Sequence, residues 1–284
     1  MKIVIIGSGN LATNLSLALR DAGMPPCQVF SKTLSHAQEL ANKIGCPFTN
    51  QIEQVIPDAD AYLISVKDDA IHSVAEQLHS LRSYETLRYE NETALRTYEN
   101  PSLSTLNFQL STVIHTAGSV SIDVFSGLAN HSAVLYPMQS FTKGRGLNFK
   151  DIPCFVEATD ELSLKVVTTL ANAISDKVVS INSEQRRRLH LAAVFASNLT
   201  NHCYRIAERI INKENLDFNL FHPLILETAK KACSMSPKQA QTGPMVRNDV
   251  TVMNKQLELI DDPLLKDIYQ LMAQSIHNDA LSAE

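Results

Sequence analysis

A short apolar run, Ile3 to Ile6, ends at Gly7, and the residues that follow, Gly7-Ser8-Gly9-Asn10-Leu11-Ala12, lead into apolar positions at helical spacing, Leu11, Leu15, Ala18 and Leu19. The pattern predicts a strand, a tight turn and a helix. Gly7 permits the sharp turn, Gly9 leaves room for a pyrophosphate to approach the backbone, and Ala12 stands where a small residue lets helix and strand pack closely. The N–H groups of Asn10 and Leu11, at the positive end of the helix dipole, are then free to meet phosphate oxygens. Gly7, Ser8, Gly9, Asn10 and Leu11 are therefore the first cofactor-binding candidates, and the chain is expected to open on a dinucleotide-binding domain.

The second strand, Gln28 to Ser31, ends about 20 residues past this turn, where an NAD enzyme places an Asp or Glu on the ribose hydroxyls. Here the residues are Ser31-Lys32-Thr33. Two hydroxyls and an ammonium suit a 2′-phosphate, so NADP (NADPH) is the expected cofactor, with an ordinary polar strand end as the other reading. Thr33 to Ile44 reads as a helix closed by Gly45, Cys46 to Asn50 as a short third strand, and Ala61 to Val66 as a fourth strand buried on both faces. The carboxyl end of that strand, Val66-Lys67-Asp68, falls at the crevice where open α/β sheets bind ligands. Lys67 and Asp68 either line a nicotinamide ribose or form a solvated turn, and Val66 and Lys67 are counted with the cofactor-binding candidates.

From about residue 80 to 110 the aliphatic residues thin out and Leu87-Arg-Tyr-Glu-Asn is loosely echoed by Leu95-Arg-Thr-Tyr-Glu-Asn. This reads as an insertion, a surface excursion or a disordered stretch. The sheet resumes with Thr112 to His115, and His115, at a strand's carboxyl end, either faces the cofactor or is a hydrogen-bonded structural residue. Ala133 to Tyr136 repeats the pattern, with Tyr136 and Gln139 following as candidate substrate contacts. Cys154 to Glu157, a helix from Leu162 to Ile174, and Lys177 to Ile181 add a β-α-β unit. The sheet domain is thus expected to span residues 1–182 and a helical domain residues 183–284.

The helical region opens with a helix from Ser183, expected to cap it, through Ile211; at about 1.5 Å per residue it would exceed roughly 40 Å. On it His190, Val194, Ser197, Asn198 and Asn201 fall along one stripe at helical spacing. Polar groups inside an otherwise apolar helix need partners. The stripe is either an inter-helix network or the wall of a site, and on the second reading His190 and Asn198 are the catalytic candidates and Ser197 a substrate contact. His222-Pro223 and Asp262-Pro263 start further helices. Thr242 and Arg247, in the interruption between them, are expected near a site at the domain junction.

The chain has 284 residues, and a net charge of −5 without a basic block gives no footprint for nucleic acid or an anionic membrane. Five scattered cysteines without C-x-x-C spacing fit a reducing compartment. No run approaches the roughly 20 apolar residues of a membrane span, so a cytoplasmic protein is expected. Neither a nucleophile elbow nor a clustered metal-ligand set occurs, so the metal assignment is none. The apolar faces of the helices exceed what one sheet edge covers, and a homodimer through them is expected.

The segments Ile6-Gly-Ser-Gly-Asn-Leu-Ala12, Val113-Ile-His-Thr-Ala-Gly-Ser119, Leu135-Tyr-Pro-Met-Gln-Ser-Phe141, His190-Leu-Ala-Ala-Val-Phe-Ala-Ser-Asn198 and Gln241-Thr-Gly-Pro-Met-Val-Arg-Asn-Asp249 resemble a group of NADP oxidoreductases with a Rossmann-like N-terminal domain and a helical C-terminal domain. More distantly the chain is similar to pyrroline-5-carboxylate reductase and the hydroxyacid dehydrogenases, which pair such a domain with dimerising helices. The resemblance implies a Rossmann-type α/β fold, an all-α dimerisation domain and NADP. In the hydroxyacid dehydrogenases a lysine on the first helix of the second domain serves in acid–base chemistry; here that stripe carries His190. The function expected is hydride transfer between NADP and a small carbonyl or imine, the alternative being a non-catalytic NADP-binding redox sensor.

Overall fold

The structure is a computed structural model that describes residues 1–81 and 111–282. The expected insertion lies, from residue 82 to 110, outside the described residues. Two compact units are present, Met1–Asn201 and His202–Glu284.

Among the described residues the first unit holds eight strands: β1 (Ile3–Ile6), β2 (Gln28–Phe30), β3 (Phe48–Thr49), β4 (Ala61–Ile64), β5 (Thr112–His115), β6 (His131–Pro137), β7 (Cys154–Ala158) and β8 (Val178–Ser180). Their order across the sheet is β3-β2-β1-β4-β5-β6-β7-β8. Every neighbouring pair is parallel except β6–β7, which is antiparallel. The reversal has a local cause. The chain leaves β6 at Pro137 and re-enters the sheet at Cys154 through residues 138–153, which hold only a short 3₁₀ turn, Phe149–Asp151, and no crossover helix. A connection that stays at one end of the sheet must return antiparallel. β7 and β8 then form the β-α-β unit expected from the sequence, joined by a helix over Glu161–Ile174.

Side chains alternate across β1. Ile3 and Ile5 pack in one apolar layer with α1 (Asn10–Asp21), α2 (Leu34–Ile44) and the helix over Glu161–Ile174, whereas Val4 and Ile6 pack in the other with Tyr62, Ile64 and Phe125. The second layer is covered by α3, a helix over 71–81 that contributes Ile71, Val74, Ala75 and Leu78. Burial on both faces explains why β1 and β4 read as continuous apolar runs rather than alternating ones. Helix ends follow their local chemistry. Gly45, with φ of 76°, closes α2 in the left-handed conformation, and α4 (Glu161–Ile174) starts with a reciprocal cap between Asp160 and Ser163.

The next helix, α5 (Ser183–Ala193), is capped by Asn182, whose side chain accepts from the Gln185 N–H while Gln185 returns a bond to Asn182. This corrects the expectation that Ser183 caps it. Ser183 is instead engaged by Glu157, which accepts from both its N–H and its hydroxyl at 2.8 Å. After α5 the backbone passes through a π-helical segment, Val194–Leu199, into α6 (Thr200–Asn212). The Thr200 hydroxyl donates to the Phe195 carbonyl at 2.8 Å, five residues back, in keeping with the widened turn.

The second unit holds most of α6, then α7 (His222–Ser234), α8 (Pro237–Ala240), α9 (Val250–Glu258) and α10 (Pro263–Leu281). Pro223 sits in the first turn of α7, and Asp262 caps α10. Among its described residues only Ile211 and Ala273 are buried, while Leu216, Leu220, Leu224, Leu226, Leu259, Leu264 and Leu271 are exposed. No helix among the described residues is long and apolar enough to cross a membrane.

Candidate functional site

Gly7 has φ of 119°, and a Cβ placed on it would lie 2.1 Å from the Ser65 carbonyl oxygen. No side chain fits there, because the end of β4 runs directly alongside. The Gly7 N–H is paired to Phe30 and the Ser65 N–H to Ile6, each at 2.8 Å, so the ends of β1, β2 and β4 are tied together around the turn. Gly9 differs. Nothing stands within 4 Å of where its Cβ would be, and it caps α1 without a side-chain hydrogen bond. The first turn of α1 carries no acid, so its N–H groups face the open space beside Gly9 as an anion site.

That space is a cavity of about 710 Å³. Gly7, Ser8, Gly9, Asn10, Leu11, Ser31, Lys32, Val66 and Lys67 all line it, so most of the sequence-predicted cofactor residues lie together. The Ser8 and Ser31 hydroxyls are buried and 2.8 Å apart, next to exposed Lys32. Thr33 does not line the cavity and serves instead as the N-cap position of α2. A hydroxyl pair with an adjacent ammonium, and no carboxylate at positions 31–33, fits a 2′-phosphate on the ribose, and the turn fits a pyrophosphate. NADP is thus matched by the residues that would hold it. We expect Lys32→Ala to weaken NADPH by roughly tenfold or more, in the range of a lost hydrogen bond to a charged group, and NADH far less. Fluorescence titration of both cofactors checks this, and equal losses would refute the assignment.

His115 lies elsewhere. It is fully buried under the floor, does not line the cavity, and its Nδ1 accepts from the Ala117 N–H at 3.2 Å, with Phe125 against the ring at 5.5 Å. Burial, with a smaller contribution from the Arg186 guanidinium, pushes its pKa down to about 3 against a weak opposing effect of the Ser121 backbone. His115 therefore holds, as a neutral ring, the turn Thr116-Ala117-Gly118 that does line the cavity.

His190 reaches that same cavity and also a second one of about 470 Å³; Tyr136 and Gln139 line both as well. The Tyr136 hydroxyl and His190 Nδ1 are 3.0 Å apart, and the rings meet edge-on at 5.8 Å. Burial raises the pKa of Tyr136, which keeps the phenol protonated. Gly118 makes this approach possible: a Cβ there would lie 2.6 Å from His190 Nδ1 and 2.7 Å from Cγ. Val194, Ser197 and Asn198 line the second cavity, while Asn201, the last residue of the sequence stripe, does not. Thr242 and Arg247 belong to the second unit, where both are exposed between α8 and α9.

Three positioning features have no plain sequence signal: Gly118 beneath His190, Arg186, and the bond between Ser119 and Asp68. Arg186, one turn before His190 on α5, is fully buried, pairs with Glu157 and donates to the Val120 carbonyl and to the Ser183 hydroxyl. Through these partners α5 is pinned to β7 and to the segment after β5, which fixes where His190 emerges. Asp68 accepts from the Ser119 hydroxyl, linking the turns after β4 and β5 at the cavity rim. Gly118 and Arg186 act through residues far away in the chain, and only a tertiary structure reveals that.

Residues 2–86 match the family described as NADP oxidoreductase, coenzyme F420-dependent, and residues 152–276 match a domain of unknown function, DUF2520. No curated protein matches the chain. Among solved structures, a protein of Bacteroides fragilis provisionally described as an NADP oxidoreductase is 38% identical, with 98% of each chain covered and a TM-score of 0.84. An imine reductase of Streptomyces aurantiacus is 13% identical over 99% of this chain and 98% of its own, TM-score 0.63. A pyrroline-5-carboxylate reductase of Coxiella burnetii is 17% identical over 98% and 97%, TM-score 0.54. The last two share the fold. With an NADP oxidoreductase domain at its start, DUF2520 after it, and this likeness to the Bacteroides protein along its length, the chain belongs to the NADP oxidoreductase family.

Proposed function

We propose that this protein is a cytoplasmic NADP-dependent reductase acting on a small carbonyl or imine, with His190 as the proton donor or relay and Asn198 orienting the substrate. The observation that carries this reading is the Tyr136–His190 pair, which borders both the cofactor cavity and the second cavity. The nicotinamide supplies hydride when bound. The chain must supply a proton and a fixed substrate position. A hydride acceptor in the second cavity, beside His190, would have an imidazole able to give or relay a proton within reach of its heteroatom. Gln139 and Ser197 offer further hydrogen bonds to a substrate from the same wall. The imine and pyrroline reductases that share the fold act on related C=N chemistry, which favours imines in the test panel.

The test is consumption of NADPH against a panel of imines, aldehydes and oxoacids. Turnover of any of them above background supports the enzyme. Silence across the panel, with a cofactor-driven change in assembly, would instead support a redox sensor.

We further propose that a second copy covers the helical unit. A unit of this length must offset about 1–2 kcal/mol of backbone entropy per residue, and two buried side chains cannot do so. The exposed leucines of α7 and α10, Leu224, Leu226, Leu264 and Leu271, are the surface a second copy would bury. Light scattering at micromolar concentration is expected to give the mass of a dimer. A monomer would overturn this.

A further inference from the structure

The second cavity has a wall of uniform character. Its residues come from Tyr136 near the end of β6, from Met138–Ser140 just past it, and from the stretch Leu189 to Asn198 that spans the end of α5 and the π segment. Apart from His190, none of the side chains that line it among the described residues is an acid or base charged near neutral pH. Ala192, Ala193 and Ala196 keep it wide, while Gln139, Ser197 and Asn198 are neutral hydrogen-bonding groups. The charged residues of the site, Lys32, Lys67 and Asp68, line the cofactor cavity and not this one. Of the arginines just before His190 on the helix, Arg186 is buried against Glu157, while Arg187 and Arg188 are exposed, Arg188 pairing with Glu184 at 2.6 Å; none of the three lines this cavity.

From this lining we infer that the part of the substrate held beyond the Tyr136–His190 pair is uncharged, a small ring or chain bearing at most amide- or hydroxyl-like polarity, and not a carboxylate. The inference rests on the reductase reading and narrows it. A carboxylate held against this part of the wall, beyond His190, meets only neutral hydrogen-bonding and apolar groups among the lining residues, and these do not make good the part of its hydration that it gives up. A neutral C=N or C=O ring gives up little, and the Ser197 hydroxyl and the Asn198 amide can each replace one water contact. At about 470 Å³ the cavity is large enough for such a molecule.

The experiment is calorimetric titration of the NADP⁺-loaded protein with two unreactive ring analogues, a five-membered lactam and the same lactam bearing a ring carboxylate. The neutral lactam is expected to bind more tightly by at least about tenfold, equivalent to about 1.4 kcal/mol. Ala196→Lys, a change at an exposed position of the wall, is expected to narrow or invert that ratio. Equal or tighter binding of the carboxylate, no binding of either ring, or an unchanged ratio in Ala196→Lys would overturn the inference. Failure of the reductase reading looks different: the neutral lactam binds as expected, yet no imine or carbonyl of the panel consumes NADPH.

Discussion

His190→Asn is expected to lower turnover of a carbonyl or imine substrate by about a hundredfold or more, the usual loss when a positioned acid–base group is removed. NADPH affinity should change little, because the groups that would hold its phosphates are the turn Gly7 to Leu11, Ser31 and Lys32. Asparagine keeps a polar side chain toward Tyr136 but cannot exchange a proton near neutral pH. Gly118→Ala tests the same site through geometry: its new Cβ would stand 2.6 Å from His190 Nδ1, so the ring must swing away from Tyr136. Turnover should fall in Gly118→Ala although every titratable group is retained. Tyr136→Phe separates the partners, since it keeps the ring contact and removes only the hydroxyl. Steady-state rates and NADPH titrations on the three variants decide the matter. Full turnover in His190→Asn would move the donor role to Tyr136 or another group.

What could be read along the chain, and what could not, follows from the range of the interactions involved. The glycine turn was legible because its motif is contiguous, a strand, Gly7, Gly9 and a helix following one another along the chain, although the carbonyl that excludes a side chain at Gly7 is that of Ser65 at the end of β4. Ser31 and Lys32 were legible by counting from that turn. The place of His115 was open between two readings because its strand end supplies polar residues to both the core and the cavity, and only Phe125 and Arg186, brought from elsewhere, put the ring inside. Asn182 and Ser183 are adjacent residues of equal capping ability; Glu157 decides between them by engaging Ser183. The stripe from His190 to Asn201 presumes an unbroken α period. The π segment adds to the turn and changes the phase, which is why Asn198 lines the second cavity and Asn201 does not.

Acid should unfold this protein earlier than its carboxylates alone would require, and His115 is the reason. Its folded pKa, about 3, lies well below the roughly 6.5 of an unfolded histidine. Between those values the unfolded chain binds a proton that the folded chain refuses, so stability rises with pH across the window. The contribution is fully present above about pH 6.5 and is lost progressively as pH falls toward 3. By pH 4 the linkage amounts to roughly 3 kcal/mol, a large share of an ordinary domain's stability. Protonation would also place a cation in a dry site facing the buried Arg186 guanidinium, with Glu157 already engaged by Arg186 and Ser183. His115→Gln isolates the effect. The variant is expected to be less stable than the parent at pH 7, because the ring's packing on Phe125 is lost. Its disadvantage should shrink by up to about 3 kcal/mol by pH 4, since glutamine has no proton to take up. Asp160 does not confuse the comparison. Burial pushes its carboxyl upward but the Ser163 N–H, His131 and the Ser163 and Thr159 hydroxyls outweigh this and hold it at about 2. Its contribution is lost only below about pH 4 and is common to both proteins. Urea midpoints for the two proteins at several pH values between 7 and 4 measure the difference, and a gap that stays constant across that range would show that His115 titrates in the folded protein as it does in the unfolded one.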